Sequence, residues 1–251
     1  MTRLLAVLLA LLALAGCSGG SEPESAPTSA SSPTSTPSVV VPPPTPPAKG
    51  ACYRLDYDAA LADHSDAEPV RCSAEHTSTT YFVGDVPTPT AEAAATRCPE
   101  RLSGFVRGQD LRLTMLRPIW FTPTPEERAA DARWFRCDVV AVASDGRLAP
   151  LAAPIGDLER YAMCGTAEPG SPDFRRVICS RPHAWRAISV VPFSARDYPG
   201  EAAVRDAGQE PCEAAGAEAA DNALDYRWGY EWPTRDQWDA GQRYGRCWAP
   251  A

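Results

Sequence analysis

Eight of the nine cysteines in this chain fall into two sets of four: Cys52, Cys72, Cys98, Cys137 and then Cys164, Cys179, Cys212, Cys247. No other feature restricts the fold as much. Corresponding members lie 112, 107, 114 and 110 residues apart. Their surroundings repeat with them. Cys72-Ser73-Ala74-Glu75-His76 matches Cys179-Ser180-Arg181-Pro182-His183. Pro123-Thr124 precedes Cys137 as Pro233-Thr234 precedes Cys247, and Arg133 and Arg243 each stand four residues before those cysteines. Self-similarity of this kind marks one supersecondary unit used twice. Eight cysteines allow about a hundred pairings, but the repeat suggests pairing within each half. We expect Cys52–Cys72 and Cys98–Cys137 in the first half, and Cys164–Cys179 and Cys212–Cys247 in the second. A first-to-third, second-to-fourth arrangement within a half stays open.

The ninth cysteine, Cys17, stands apart at the end of an apolar run. Leu4 to Ala15 carry no charge and follow the basic Arg3. Such a run spans ~18 Å as a helix, short of a hydrocarbon core of about 30 Å. This is the pattern of a secretory signal. Leu14-Ala15-Gly16-Cys17 resembles the lipobox of bacterial lipoproteins. That resemblance implies a signal peptide over 1–16, cleavage before Cys17, and acylation of Cys17, with palmitate among the usual chains. The expected location is the extracytoplasmic face of the cell membrane, with the bilayer as a partner through the lipid. Two or more acyl chains give stable anchoring where one is marginal.

Residues 17–50 read as a disordered tether. They are almost entirely Ser, Pro, Thr, Gly, Ala, Val and Glu, and close on Val41-Pro42-Pro43-Pro44-Thr45-Pro46-Pro47. This composition cannot bury enough apolar surface to offset chain entropy. Extended polyproline II at ~3.1 Å per residue would hold the remainder up to about 100 Å from a membrane.

The formal charge of −8 belongs to the chain beyond the tether, because Arg3, Lys49, Glu22 and Glu24 cancel within the first fifty residues. An acidic body disfavours nucleic acid and anionic lipid surfaces as direct partners. Lys49 is the only lysine, which reads as the codon bias of a GC-rich genome.

The fold class expected is α+β: two small disulfide-stapled domains, 51–150 and 158–251, each a mixed or antiparallel sheet with helices. Strand-like runs are Thr79 to Val86 and Trp185 to Phe193. Ala-rich helices follow, Thr90 to Val106 and Gly200 to Asn222, each broken at an internal proline, Pro99 or Pro211, because proline kinks a helix. Leu111 to Trp120 and Leu224 to Trp232 have strand composition. Thr124 with Glu127, and Thr234 with Gln237, each form a capping box, with Pro125 at the first helical position. Trp134 to Ser144 and Tyr244 to Trp248 are the final strands, and 145–160 connects the halves.

Cys179, Pro182-His183, Tyr198-Pro199-Gly200, Cys212, Pro233-Thr234, Trp238, Gly241, Arg243 and Cys247 together resemble the pattern of the septum formation domain. The first half resembles it more weakly, with Arg128 in the place of the tryptophan and Asp131 in the place of the glycine. The resemblance implies a tandem arrangement in a secreted or membrane-anchored protein of a high-GC Gram-positive bacterium. It also implies a link to cell division, with no defined reaction.

The chemistry-bearing residues point the same way. Cys72 with His76 and Cys179 with His183 have i,i+4 spacing, but the close C-x₂₋₄-C pairs of zinc sites are absent, as is the C-x-x-C of thiol–disulfide catalysts. Widely spaced cysteines outside the membrane form disulfides. No G-x-S-x-G or H-E-x-x-H occurs. His64 lies in a polar run. His76 and His183 recur at one place and are the candidate loop or ligand-site residues. Tyr226, Trp228, Tyr230 and Trp232 alternate along one strand face, read as core. No cofactor, metal or catalytic residue is assigned. The function expected is non-catalytic binding or scaffolding in the cell envelope, with an envelope protein or wall polymer as partner. A hydrolase acting on cell wall is the alternative.

Overall fold

The computed structural model describes residues 42–106, 110–222 and 224–251. Signal peptide, Cys17 and most of the tether lie outside the described residues.

The first half runs β1 (Cys52–Tyr53), α1 (Tyr57–Ala60), β2 (Ser78–Asp85), α2 (Ala91–Phe105), β3 (Leu116–Phe121), α3 (Pro125–Ala129), β4 (Trp134–Ser144) and β5 (Arg147–Ala149). The second runs β6 (Met163–Gly165), β7 (Arg176–Ile178), β8 (Trp185–Pro192), α4 (Glu201–Asp206), α5 (Gln209–Ala219), β9 (Gly229–Glu231), α6 (Arg235–Asp239) and β10 (Tyr244–Pro250). The fold is α+β. The first sheet has the order β1-β2-β4-β3, with β5 added to β4, and the second β7-β6-β8-β10-β9. All the pairings are antiparallel. Without β7 and β5, the second order reproduces the first. The counterpart of β7 in the first half is the single bridge of Val70 to Cys52.

Four disulfides staple these elements. Cys52–Cys72 and Cys164–Cys179 tie the first strand of each half, β1 and β6, to the segment that follows. Cys98–Cys137 and Cys212–Cys247 tie a helix to an inner strand, β4 or β10. Side chains alternate across a strand, so β4 turns Phe135, Cys137, Val139 and Ala141 into the main apolar core. Of its intervening residues, Arg136 meets Tyr53 and Phe121 on the opposite face. The main core is continuous from one half to the other. It takes Leu102 and Met115 from the first, Leu151 and Tyr161 from the connection, and Met163, Ile178 and Trp248 from the second. Met115 N donates to Tyr161 O at 2.7 Å across the same junction.

Both capping boxes form. Thr124 Oγ1 accepts from Glu127 N and Thr234 Oγ1 from Gln237 N, each at 3.2 Å, and each N3 side chain bonds back to the cap backbone. Elsewhere the elements differ from sequence expectation for local reasons. α2 runs unbroken through Pro99, beside Cys98 and its bond to Cys137. In the second half the chain does break after Asp206, and Pro211 falls in the first turn of α5, where its missing N–H costs nothing. Leu111–Leu113 is a 3₁₀ turn, not strand, because the Asp110 carboxylate accepts from Arg112 N at 2.9 Å. Only Gly229–Glu231 of the run from 224 to 232 is strand. Asn222 Oδ1 accepts from Leu224 N at 3.0 Å, a side-chain turn that competes with strand pairing, and Leu224 is 96% exposed.

Candidate functional site

Three of the residues carrying the family resemblance in the second half, Tyr198, Trp238 and Arg243, meet at one corner. Trp238 is buried against Phe193 and Tyr198, with ring centroids 5.5 and 5.6 Å away. Its Nε1 donates to Arg196 O at 3.3 Å. Arg243 lies over the indole at 4.6 Å and also donates to Arg196 O. This constellation holds the turn before α4 against α6; it is architecture.

The two recurrent histidines share a local bond and little else. Nδ1 of His76 lies 2.9 Å from Ala74 O, and Nδ1 of His183 lies 2.7 Å from Arg181 O. A carbonyl only accepts, so each Nδ1 carries the proton. His76 is 1% exposed and its Nε2 has no hydrogen bond, whereas His183 is exposed. The connecting segment makes the difference in part, since Leu151 N donates to His76 O at 2.8 Å. His64, in its polar run, is half-buried, with Nδ1 2.9 Å from Thr122 O. Of the aromatic row, Tyr230 is buried, Trp228 and Trp232 pack beside it, and Tyr226 is half-buried with its hydroxyl 3.4 Å from Glu213.

The densest polar chemistry lies where the two halves meet, in a cleft of about 300 Å³. Four arginines line it: Arg112 from the turn before β3, Arg117 from β3, Arg176 from β7, and Arg246 from β10. Gln242 and Tyr244 complete its polar lining. Arg246 is 2% exposed. Its Nε donates to Arg112 O at 3.0 Å and its Nη2 to Tyr244 Oη at 3.1 Å. Its Nη1 makes no hydrogen bond and lies 3.6 Å from Glu231. Arg176 pairs with Glu231, and Arg112 with Asp110, whose carboxyl that hydrogen bond holds below the usual carboxylate range. Arg117 is half-buried and has no carboxylate partner among the described residues; its Nη1 donates to the carbonyls of Thr114 and Leu116 at 2.8 and 2.6 Å. Burial first, then the like charges of Arg246 and Arg176, lowers its pKa to about 10. An acidic protein has thus gathered a local excess of positive charge. Sequence reading passed this over, though one signal was present: an arginine directly precedes the last cysteine of each half, Arg136-Cys137 and Arg246-Cys247.

Residues 49–247 match the family model described as septum formation, a span that takes in all four disulfides and both walls of the cleft. The chain belongs to the septum formation family. Neither a curated protein nor a solved structure matches it. Membership in the septum formation family associates the chain with cell division and the envelope. Among the described residues no helix is long and apolar enough to cross a membrane.

Proposed function

We propose that this septum formation protein is a lipid-anchored, extracytoplasmic component of the cell envelope that binds an envelope protein or wall polymer without turning it over. The arginine cleft carries this reading. Guanidinium, amide and phenol groups converge there, which is recognition chemistry. Neither His76 nor His183 lines it, so the residues best suited to proton transfer stand apart from the groups best suited to binding. The lipobox-like Leu14 to Cys17 and the Pro-rich segment after it supply the anchor and the reach.

In-cell crosslinking followed by mass spectrometry tests the binding role. A reproducible envelope partner, lost when Arg112 and Arg117 are both replaced by Gln, is the expected result. Purified protein incubated with isolated cell wall tests the hydrolase alternative, and turnover that depends on His76 or His183 would overturn the binding role. Metabolic labelling with an alkyne fatty acid tests the anchor: label on the wild type and none on Cys17→Ser is expected.

A further inference from the structure

The cleft between the halves carries a more specific conclusion, which deepens and rests on the binding role proposed above. Four guanidinium groups line or reach into it, and two carboxylates, Asp110 and Glu231, are paired with three of them. Two positive charges are left over. One resides at Arg117, which has no carboxylate beside it among the described residues. The other is shared between Arg176 and Arg246, which have one carboxylate for two guanidinium groups. Holding such a surplus in a half-buried place costs free energy unless an anion relieves it. Arg246 shows the deficit directly, since its buried Nη1 lacks any hydrogen-bond partner.

The other lining groups narrow the ligand. The Gln242 amide both donates and accepts. The Tyr244 ring lies beside two arginines, at 5.3 Å from Arg112 and 4.9 Å from Arg246, a cation–π contact with each. Much of the donor set is engaged within the protein, Arg112 by Asp110 and Arg176 by Glu231, and the unpartnered Nη1 of Arg246 is a charged donor of the kind that bonds strongly to phosphate oxygen. The volume lies at the small end of ligand sites and suits a headgroup-sized anion better than a polymer segment. A phosphate monoester carries a charge of about −1.5 to −2 at neutral pH, which matches the surplus. A carboxylate or phosphodiester would neutralise only half of it.

We propose that the cleft formed by Arg112, Arg117, Arg176 and Arg246 is a binding site for a dianionic phosphate group, either free phosphate or the monoester end of an envelope molecule.

The test titrates the oxidised folded chain with inorganic phosphate, glycerol 3-phosphate and the diester glycerophosphoglycerol, followed by NMR of the arginine side chains. Saturable binding of the first two is expected, with the shifts centred on Arg112, Arg117 and Arg246. The tighter of the two identifies the source, ion or ester. The diester should bind about tenfold more weakly or worse, because it lacks the second charge. Binding should also fall between about pH 7.5 and about pH 5 as the monoester takes up a proton. Arg117→Gln should lose about tenfold or more in affinity. It should stay folded, since the Arg117 side chain bonds only to nearby carbonyls. Absence of saturable binding, equal binding of the diester, or shifts centred elsewhere would each overturn the site, and the last needs no variant. If phosphate fails to bind while in-cell crosslinks persist, the site falls and the envelope-binding role stands. If phosphate binds and no crosslink forms, the reverse holds.

Discussion

Arg136 and Arg246 hold the same position in the two halves, each directly before the disulfide cysteine of an inner strand, β4 or β10, and they are only 3% and 2% exposed. Their surroundings differ. Arg136 lies between the rings of Tyr53 and Phe121, at 4.0 and 4.5 Å, and 3.2 Å from Asp138. Asp138 in turn accepts from Ser78 Oγ at 2.8 Å and Thr80 Oγ1 at 2.7 Å. In the second half Trp248 takes the place of Asp138, and it packs against Phe174. The first arginine is neutralised within its sheet; the second delivers its charge to the cleft.

Replacing Arg136 should therefore be costly for a reason other than lost packing. Arg136→Met leaves a fully buried carboxylate with two hydroxyl donors and no cation. Burial already pushes the Asp138 pKa up, against the opposing pull of Arg136, Thr80 and Ser78. We expect a loss of ~3–5 kcal/mol, much of it recovered when Asp138→Asn is added. Denaturant unfolding of single and double variants measures this. A double variant no more stable than Arg136→Met would place the cost in packing.

Asp131 and Gly241 also correspond, and both have positive φ, 65° and 95°. A Cβ at Gly241 would meet nothing within 4 Å, so any cost there is backbone strain alone. Gly241→Ala should lose about 1 kcal/mol. Gly241→Asn should lose less, because a short polar side chain tolerates this region, as Asp131 does in the first half. Thermal unfolding of both variants decides it, and equal losses would point to a cause other than strain.

Tyr230 links stability to alkaline pH. Its hydroxyl donates to Val204 O at 2.9 Å, and burial raises its pKa from 10.0 to about 12. The folded state thus holds this proton more tightly than the unfolded chain. The advantage is fully present below pH 10.0 and is lost as pH rises through about 12. Tyr81, bonded to Cys98 O at 2.6 Å, shifts in the same direction through burial and the nearby Asp138 charge. Unfolding free energies across this window should fall, with a smaller fall in Tyr230→Phe. An unchanged slope in that variant would rule out Tyr230 as a contributor.

The oxidised fragment 158–251 should fold, with the Cys164–Cys179 and Cys212–Cys247 bridges and a core of Val191 and Tyr230 of its own. It should also melt well below the intact chain. Met163, Ile178 and Trp248 would lose the Leu151 and Met115 side of the shared core, and each buried apolar side chain exposed costs ~1.5–3 kcal/mol. Calorimetry of fragment and whole protein gives the comparison. Equal midpoints would show that the shared core adds nothing to the second half.

Short-range chemistry was the legible part of this sequence. The strand Trp134–Ser144, the capping boxes at Thr124 and Thr234, and the α+β class all follow from neighbours a few residues apart. What sequence could not supply came in part from competing local turns and in part from partners distant along the chain. Pro99 stays helical where Pro211 marks a break. The expected strand from 224 loses most of its length to a turn at Asn222. His76 and His183 share a motif and differ in burial because what packs over them differs. The cleft was the hardest to see, since its arginines come from the turn before β3, β3 itself, β7 and β10. The Arg-Cys pair in each half does not say which arginine reaches the cleft, and charged residues default to the surface in any reading by composition.

The first disulfide has a mechanical meaning. The chain preceding the fold enters it at β1, where Cys52 is joined to Cys72 across a separation of 20 residues. Tension arriving along that segment reaches Cys52 and passes through sulfur to Cys72, so the loop between them carries no load. A pulled oxidised chain would come up about 70 Å short of a reduced one for this loop alone. A protein loaded through its leading end would therefore strain the hydrogen bonds of Gly50 and Ala51 to Thr80 first, and then meet a covalent limit at Cys52.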